Sequence, residues 1–537
     1  METVSGNIID VLNGEIYKGT LKIKDGRIAD IVRENVRDER FILPGFIDSH
    51  IHIESSMLPP SEFARVSVLN GTVAVVSDPH EIANVLGVEG IKYFIDNSKK
   101  VPLKFYFGAP SCVPASPFDS SGATLGPQEI EKLFQMNEIR YLGEVMNFPG
   151  VINRDPVLLK KLSIARKYSR KIDGHAPGLT GKDLELYINA GIDTDHECVS
   201  QEEALEKLNL GMKIQIREGS AARNGERLIS LLEERYENCM FCSDDKHPDD
   251  LVKGQINDLV KMALDYGIDR MKVLRVACVN PVLHYGLDVG LLRKGDFADF
   301  IIIDDFKRLN ILATYINGEK VSEENETLIN GIKVETPNNF FVTQKEPGDL
   351  FIEHSTGRIN VIGVNDRQII TEKLLLNPGR KGHYAIPDPS RDILKIVVIN
   401  RYGTGDIGKG FVKGFGLKKG AIASSIAHDS HNIIALGVDD ETICRAVNTI
   451  IRAKGGISAV SGERESILAL PLAGIMSDMD YVSVADQYLE LNRAAQSFGS
   501  PLSSPFMTLS FMALLVIPRL KISDRGLFDG EKFGFVH

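Results

Sequence analysis

Short alternating runs of apolar and polar residues flank a larger central segment of the chain. Within residues 1–42 these runs are separated by Asn13-Gly14 and by Asp25-Gly26. Asn-Gly and Asp-Gly pairs between such runs are typical of β-hairpins. A similar pattern returns at 295–321, where an apolar run ends at Ile303. The pattern predicts one small β domain that is built from both segments, with a larger unit inserted between them.

The central segment repeats a different unit, in which a short apolar strand candidate closes on polar residues. Alternating strands and helices indicate a parallel sheet, and eight repeats over about 240 residues are typical of a (β/α)8 barrel. The strand candidates end near His50-Ile51-His52, Asp78-Pro79-His80, Gly108-Ala109-Pro110, Gly143-Glu144, Gly174-His175, Asp195-His196, Arg217-Glu218 and Ser243-Asp244-Asp245. Stretches with helical patterning between them include Ser61–Leu69, Gln128–Met136, Asp155–Tyr168, Asp183–Ala190 and Gln201–Leu208.

These patterns together predict an α/β protein with three domains. A (β/α)8 barrel over residues 43–285 is inserted in a small β-sandwich domain, which is formed by residues 1–42 and 286–345. Residues 346–537 contain abundant glycine and strand-like runs such as Ile393–Ile399. They predict a separate C-terminal domain of the α/β or α+β class.

Composition and charge narrow the partners and the compartment. The apolar content of 43% and charged content of 25% are typical of a globular protein in solution. The net charge of −11 argues against nucleic acid or an anionic membrane as a partner. No signal peptide is recognised, and the apolar run Phe511–Pro518 is far shorter than the ~20 residues that span a bilayer. Six scattered cysteines are typical of reduced thiols, so we expect a cytoplasmic protein.

The polar residues at the strand ends carry the candidate chemistry. His50 and His52 are two residues apart on the first strand, so both imidazoles face one side of the sheet. Four imidazoles and two carboxylates suit a divalent ion such as Zn, Mn or Fe. Six ligands exceed the needs of one four-coordinate ion, so a binuclear site is the economical interpretation. The predicted ligands are His50, His52, Glu144, His175, His196 and Asp244.

Glu144 is the natural bridge between two ions, because it stands alone on the fourth strand. The first pair of histidines would bind one ion and the later pair the other, with Asp244 contacting the first ion and the bridging solvent. Each ligand alone has an ordinary explanation, such as a core position for His175, a polar network for His196 or an ion pair for Glu144. Their shared position at strand ends favours the metal site.

Two other motifs do not support the functions that they suggest at first. Gly403-Thr-Gly405-Asp-Ile-Gly408 fits a dinucleotide fingerprint, but the glycine-broken residues that follow do not predict the helix that this motif requires. Cys239 and Cys242 lie in the eighth strand candidate, where residues three apart face opposite sides. No second cysteine pair accompanies them, so a zinc knuckle is not expected.

The segment Leu43–His52 resembles the first metal strand of the amidohydrolase superfamily, and the split β domain around a barrel resembles that superfamily too. Narrower segments resemble adenine deaminases of the bacterial and archaeal type, and the resemblance runs over nearly the whole chain. Many superfamily members bridge their ions with a carboxylated lysine, whereas this chain has Glu144, as the adenine deaminases do. The narrower segments are Asp78–Val85, Gly143–Asn147, Gly174–Leu179, Thr194–Glu197, Arg217–Ser220, Ser243–Asp245 and Ala427–Asn432.

The resemblance implies a metal-dependent hydrolase that converts adenine to hypoxanthine and ammonia in purine salvage. Hydroxide bridging the two ions would attack C6 of the ring, and Asp244 would shuttle the proton. The resemblance implies Mn²⁺ or Fe²⁺ as the two working ions, while the ligand set also suits Zn²⁺. A homo-oligomer is expected, with a dimer favoured.

Seven further side chains are candidates for binding the purine. Their alternatives are a helix-start carboxylate for Glu81, pairing of Arg217 with Glu218, and a local polar loop around Asp429. The candidates are His80, Glu81, Glu218, Asp245, His428, Asp429 and His431.

Two other functions stay open at this point. The first is a cyclic amidohydrolase of the dihydroorotase or hydantoinase type, against which Glu144 and the long C-terminal domain weigh. The second is a non-catalytic metal-binding protein on the same scaffold, against which the complete ligand set weighs.

Overall fold

The computed structural model describes residues 1–220, 222–354 and 357–536. The chain packs into two compact units, and the three-domain division stays a prediction. The units divide the chain differently, because residues 80–91 and 112–125 pack with the C-terminal part. The first unit comprises Met1–Pro79, Lys92–Ser111 and Gly126–Ile332, and the second comprises His80–Ile91, Cys112–Leu125 and Lys333–His537.

One eight-stranded sheet of the first unit combines both segments that flank the barrel. The first two hairpins pair in register, with Asp10 opposite Glu15 and Lys24 opposite Arg27, so the Asn-Gly and Asp-Gly turns lie where the pattern predicts them. Buried side chains from both segments form its core, among them Ile8, Ile42 and Phe300. In sheet order the strands are Glu326–Thr327, Glu319–Glu323, Ile311–Ile316, Phe300–Ile303, Phe41–Pro44, Glu2–Asp10, Glu15–Lys24 and Arg27–Arg33.

Eight further strands of the first unit form the predicted parallel barrel. Backbone hydrogen bonds join the eighth strand to the first, because the Asp244 N–H donates to the His50 carbonyl and the His52 N–H donates to the Asp244 carbonyl. The Asp193 N–H donates to the Ile172 carbonyl and so joins the fifth strand to the sixth. In chain order the strands are Phe46–Ile51, Thr72–Ser77, Lys104–Ala109, Ile139–Val145, Lys171–Gly174, Thr194–Asp195, Lys213–Arg217 and Cys239–Cys242.

Helices alternate with the barrel strands, and capping residues mark where several of them begin. Asp155 accepts hydrogen bonds from two N–H groups of the first turn, and Pro156 follows it at the position where proline is favoured. Ser200 caps the helix that begins at Gln201 by accepting one hydrogen bond, from the Glu203 N–H. The helices of this unit are Pro60–Ser67, Pro127–Leu133, Phe148–Ile152, Pro156–Lys167, Gly181–Asn189, Gln201–Asn209, Gly225–Leu228, Leu232–Arg235, Pro248–Leu251, Ile256–Tyr266, Arg270–Leu274 and Asn280–Tyr285.

The second unit is built around a mixed eight-stranded sheet. The glycine-rich stretch that fits a dinucleotide fingerprint leads into the strand Ile407–Lys413 rather than a helix, which agrees with its rejection. In sheet order the strands are Glu372–Leu376, Ile359–Gly363, Ile407–Lys413, Leu394–Ile399, Ile433–Gly437, Ala421–Ser424, Gly456–Ser461 and Arg464–Ala469. Two smaller sheets consist of Ile352–Glu353, Tyr384–Ile386 and Gly379–Lys381, and of Leu520–Ser523, Gly526–Asp529 and Gly534–Phe535.

An amphipathic helix covers the core of this second sheet. Ile443, Val447 and Ile450 recur at helical spacing and pack on Val397 and Ala435 of the sheet. No helix among the described residues is both long and apolar enough to cross a bilayer. The helices of this unit are His80–Leu86, Asp440–Ala453, Tyr481–Ser497 and Pro505–Phe511, together with the start of Val88–Ser98.

Candidate metal centre

The six predicted metal ligands lie together at the carboxyl ends of the barrel strands, with Glu144 among them. Glu144 Oε1 lies 3.5 Å from His52 Nε2. Glu144 Oε2 lies 2.9 Å from His175 Nδ1 and 3.2 Å from His196 Nε2. The two oxygens of one carboxylate therefore face different histidines, which is the arrangement that a bridging ligand requires.

Asp244 brings the second carboxylate to the same group. Its Oδ1 lies 3.1 Å from His52 Nε2, 3.5 Å from His50 Nε2 and 3.8 Å from His196 Nε2. The residue has a φ of 55°, which is uncommon for a residue other than glycine. Such backbone conformations cluster at functional sites, where the surrounding structure enforces them.

Neighbouring groups orient the first pair of histidines. The His52 Nδ1–H donates to the Asp78 carbonyl at 3.0 Å, so the lone pair of Nε2 faces the cluster. Nε2 of His50 lies 3.3 Å from Nε2 of His52, and His50 Nδ1 lies 3.9 Å from Asp173 Oδ2. The Tyr285 hydroxyl donates to that aspartate at 2.8 Å. His52 therefore has a hydrogen-bond acceptor behind it, as is usual for metal-binding histidines, and a carboxylate lies behind His50 beyond hydrogen-bond distance.

Arg217 contacts two carboxylates of the site, and its suggested pairing with Glu218 is wrong. Its guanidinium donates to Asp244 Oδ2 at 2.6 Å and to both carboxylate oxygens of Glu197. Glu218 instead accepts a hydrogen bond from the Gly225 N–H and lies 3.9 Å from Arg223. Successive strand residues face opposite sides of a barrel, which explains why these two side chains separate.

Charge in the site favours anionic carboxylates. Burial raises the pKa of Glu144, but His175 and His196 outweigh it and hold that pKa well below its usual range. Burial likewise raises the pKa of Asp244, but Arg217 together with His50 and His52 holds that pKa well below its usual range.

The same kind of pairing raises the pKa values of two of the imidazoles. Burial lowers the pKa of His50, but Asp173 and Asp244 raise it to about 10. Burial also lowers the pKa of His175, which Glu144 and Glu197 raise to about 9. In the metal-free protein these two imidazoles are therefore protonated at neutral pH. A metal ion that binds to them would displace those protons.

The donor set fits a divalent metal ion. Four imidazoles and two carboxylates converge, and their side chains are almost wholly buried except for that of His175, which is 17% exposed. Within the described residues neither ring nitrogen of buried His196 makes an aligned hydrogen bond, although Nε2 lies 3.2 Å from Glu144 Oε2. Buried polar atoms usually have such a partner, and a metal ion would supply it.

Two predicted purine contacts lie in loops that follow the last barrel strands. Asp245 accepts a hydrogen bond from the Ser55 hydroxyl at 2.5 Å, and Glu218 is held by the Gly225 N–H at 3.1 Å. Burial raises the pKa of the Glu218 carboxyl. Their role in binding a purine stays a prediction.

The other five predicted purine contacts come together in the second unit. Glu81 Oε1 lies 2.7 Å from His428 Nδ1 and 3.4 Å from His80 Nε2, and Glu81 Oε2 contacts His431 Nε2. Asp429 lies beside His428 at 3.9 Å. All five side chains are buried. For Glu81, burial raises the pKa, and the two histidines of the 427–432 segment hold it well below its usual range.

Sequence reasoning missed the outer residues of the barrel site. Glu197 lies 3.6 Å from His175 Nδ1 and binds Arg217, and Asp173 stands behind His50. A signal for Asp173 was present, because it is two residues before His175 and so shares its face at the strand end. No comparable signal marked the pairing of Glu197 with Arg217, which lie 20 residues apart.

Two segments of this chain match known protein families, and its fold resembles solved structures. Residues 41–321 match the amidohydrolase family, whose members imply a divalent metal, and residues 368–534 match the adenine deaminase C-terminal domain. A solved β-aspartyl dipeptidase from Fervidobacterium islandicum AW-1 is 16% identical and has a TM-score of 0.46. That likeness covers 61% of this chain and 98% of the other.

Two relatives match this chain over nearly its whole length. A protein named adenine deaminase from Sulfurovum sp. is 54% identical over 536 residues, which is 99% of both chains. Another of that name from Salinibacter ruber is 52% identical over 537 residues, covering 99% of this chain and 98% of the other. The chain therefore belongs to the adenine deaminase family, within the amidohydrolase family of enzymes.

Proposed function

We propose that this protein hydrolyses adenine to hypoxanthine and ammonia. The observation that carries the proposal is the six-residue donor cluster at the barrel strand ends, with Glu144 in the bridging position. Full-length relatives that are about half identical bear the name adenine deaminase. Cyclic amidohydrolases of the dihydroorotase or hydantoinase type are disfavoured, because this chain also matches the adenine deaminase C-terminal domain.

We propose that the cluster holds two divalent ions, Mn²⁺ or Fe²⁺, although its ligands also suit Zn²⁺. When bound, such ions lower the pKa of water to about 7 and so supply a nucleophile at neutral pH. The ligands would be His50, His52, Glu144, His175, His196 and Asp244.

Asp244 is the residue that would move the proton. Its Oδ1 faces the ligand nitrogens, while Oδ2 is bound by Arg217, which keeps the carboxylate anionic and fixed. It would accept the proton of the attacking water and pass it to the purine ring or the departing amine. Of the two protons of water, one would pass to a ring nitrogen and the other to the departing amino group, so that water and adenine give hypoxanthine and ammonia.

Asp244→Asn tests this assignment, because it keeps the shape but removes the basic oxygen. Turnover of adenine should fall about 10²–10⁴-fold. Asp265→Asn is the matched control, since that carboxylate is exposed and pairs with Lys261 on the same helix. Near-native turnover by an Asp244→Asn protein that still holds its metal would contradict the shuttle role.

A substrate panel tests the reaction itself. The Mn²⁺-loaded protein should release ammonia from adenine, and its activity on adenosine and isoguanine would define the preference among 6-aminopurines. Ring opening of dihydroorotate or hydantoins without ammonia release from adenine would favour the cyclic amidohydrolase. Tight metal binding without turnover of any of these compounds would favour a non-catalytic protein.

Three further expectations accompany the proposal. The seven candidate side chains are predicted to bind adenine. A cytoplasmic location is also predicted, as is a homo-oligomer, with a dimer favoured. Nucleic acid and membranes are not expected as partners, in keeping with the net charge of −11.

A further inference from the structure

The second unit contains its own buried group of histidine and carboxylate side chains, here called the Glu81 cluster. It consists of His80, Glu81, His428, Asp429 and His431, none more than 5% exposed. The sequence suggested purine contacts for these residues, and the contacts among them support a second role. We propose that His80, Glu81, His428 and Asp429 bind a divalent transition-metal ion, with His431 holding Glu81 in place.

Donor atoms in the Glu81 cluster have the separations that ligands of one ion require. Metal bonds of 2.0–2.2 Å place neighbouring tetrahedral ligands about 3.4 Å apart. Glu81 Oε1 lies 2.7 Å from His428 Nδ1 and 3.4 Å from His80 Nε2, and His428 Nδ1 lies 3.9 Å from Asp429 Oδ1. Ligand atoms of His80, Glu81 and Asp429 all lie within 4.8 Å of one another. These separations bracket the expected value.

His431 is assigned a different role because of one hydrogen bond and one close contact. Its Nδ1 accepts from the Ala427 N–H at 3.4 Å, so in the neutral ring the proton lies on Nε2. That nitrogen contacts Glu81 Oε2 and can donate to it, which leaves Oε1 directed toward His80 and His428. A hydrogen bond that orients a ligating carboxylate is the usual support of a metal site.

The chemistry of the cluster favours a cation. Two imidazoles and two carboxylates suit borderline divalent ions such as Zn²⁺, Mn²⁺ and Fe²⁺. Buried carboxylates are costly unless they are paired with positive charge or coordinate a metal. The His428 ring stacks on Phe511, with centroids 4.7 Å apart, so the site has an apolar wall that excludes water.

Such an ion would join two segments of the second unit that are distant in sequence. Glu81 lies in the first turn of the short helix His80–Leu86, whereas His428 lies 347 residues later in the loop before the strand Ile433–Gly437. A ligand that binds only the folded state stabilises it by mass action. Metal removal should therefore lower the melting temperature through this cluster as well as through the barrel.

Metal counting on the full-length protein tests the proposal without reference to deamination. Apoprotein is dialysed against Mn²⁺, and in a second series against Zn²⁺, and the bound metal is measured by mass spectrometry. The wild-type protein should bind about one ion more than Asp429→Asn or His428→Gln. A variant in which the barrel ligands are removed, Glu144→Gln with His196→Asn, should retain that additional ion.

His383→Asn is the matched control, because this histidine of the same unit is exposed. Circular dichroism checks that each variant is folded, and Asp429→Asn is the conservative variant should His428→Gln fail to fold. Equal metal content in the wild-type protein and a folded Asp429→Asn variant, with both ions, would overturn the proposal. The cluster would then be a hydrogen-bonded network only, and this result would leave the proposed deaminase function intact.

Discussion

The molecule contains two buried groups of histidines and carboxylates, and they are assembled in different ways. The barrel group draws its six side chains from the ends of five strands, whereas the Glu81 cluster joins a helix start to one loop. In the barrel, Arg217 and Asp173 stand outside the ligands, and each contacts one of them. In the Glu81 cluster, His431 is the residue outside the proposed ligands, and it contacts Glu81.

The difference shows what makes a site readable from sequence. Ends of parallel strands meet at one edge of a barrel, so a strand pattern alone brings distant ligands together. No such rule connects a helix start with a loop 347 residues later. The barrel site was therefore predicted as one group, while the Glu81 cluster became visible only through its contacts.

The largest effect is expected when Glu144, the proposed bridging ligand of the barrel group, is replaced. Glu144→Gln leaves one oxygen and loses the negative charge that faces both histidine pairs, so turnover should fall by at least about 10³-fold. Metal content should fall by the barrel ions, while the ion of the Glu81 cluster remains. Glu131→Gln is the control, because this half-buried carboxylate of the first unit forms its ion pair with a surface lysine, Lys167. Full activity of Glu144→Gln would show that the barrel group does not depend on a bridging carboxylate.

A smaller effect is expected from the outer arginine that distinguishes the barrel group. Arg217→Lys keeps the charge but removes the fork that binds Glu197 and Asp244 together, so kcat should fall about 10–100-fold. The metal content should stay unchanged, and the KM for adenine should change less than kcat. Arg223→Lys, at an exposed position nearby, serves as control. An unchanged kcat would show that Arg217 does not contribute to catalysis through this pair of contacts.

Metal binding to the barrel group should depend on pH, because nearby carboxylates raise the pKa values of two barrel histidines. The pKa values of His50 and His175, about 10 and 9, exceed the ordinary 6.5. Their contribution to stability of the metal-free protein is therefore fully present below pH 6.5 and is lost as the pH rises through 9 to 10. Because a metal must displace these protons, Mn²⁺ affinity should rise up to about tenfold per pH unit and per proton from pH 7 to 9.

Titration calorimetry in buffers of different ionisation enthalpy measures the proton release directly. With Glu197→Gln, which removes a carboxylate that raises the pKa of His175 but leaves all six proposed ligands in place, the release near pH 8 should decrease. A Mn²⁺ affinity that is independent of pH over this range would contradict protonated ligands in the apoprotein.

The smallest effect concerns the hydroxyl behind Asp173. Tyr285→Phe removes its hydrogen bond to that carboxylate, which orients His50. A lost hydrogen bond of this kind costs about 1 kcal/mol, so metal affinity should fall about fivefold. Tyr266→Phe, on an exposed ring of the same unit, is the control. Identical Mn²⁺ dissociation constants for the Tyr285→Phe and wild-type proteins would show that Tyr285 does not support the site.

Much of the fold followed from the sequence because it depends on local periodicity. The eight barrel strands end where the predicted polar residues stand, and the helix Pro156–Lys167 lies within the predicted 155–168. The glycine-rich stretch before Ile407 was separated from nucleotide-binding loops by the missing helix signal. The grouping of residues 80–91 and 112–125 with the C-terminal part was not predicted, because nothing in their local pattern records which unit they pack against.

The sequence by itself determined the barrel, the six residues at its strand ends and the family. It could do so because strand period and strand order place those residues without knowledge of any particular contact. Only the tertiary structure decided that Arg217 binds Glu197 and Asp244 rather than Glu218, and that Glu81 meets His428 and His431. Side-chain partners across distant segments depend on packing in three dimensions, and no local pattern in the chain encodes them.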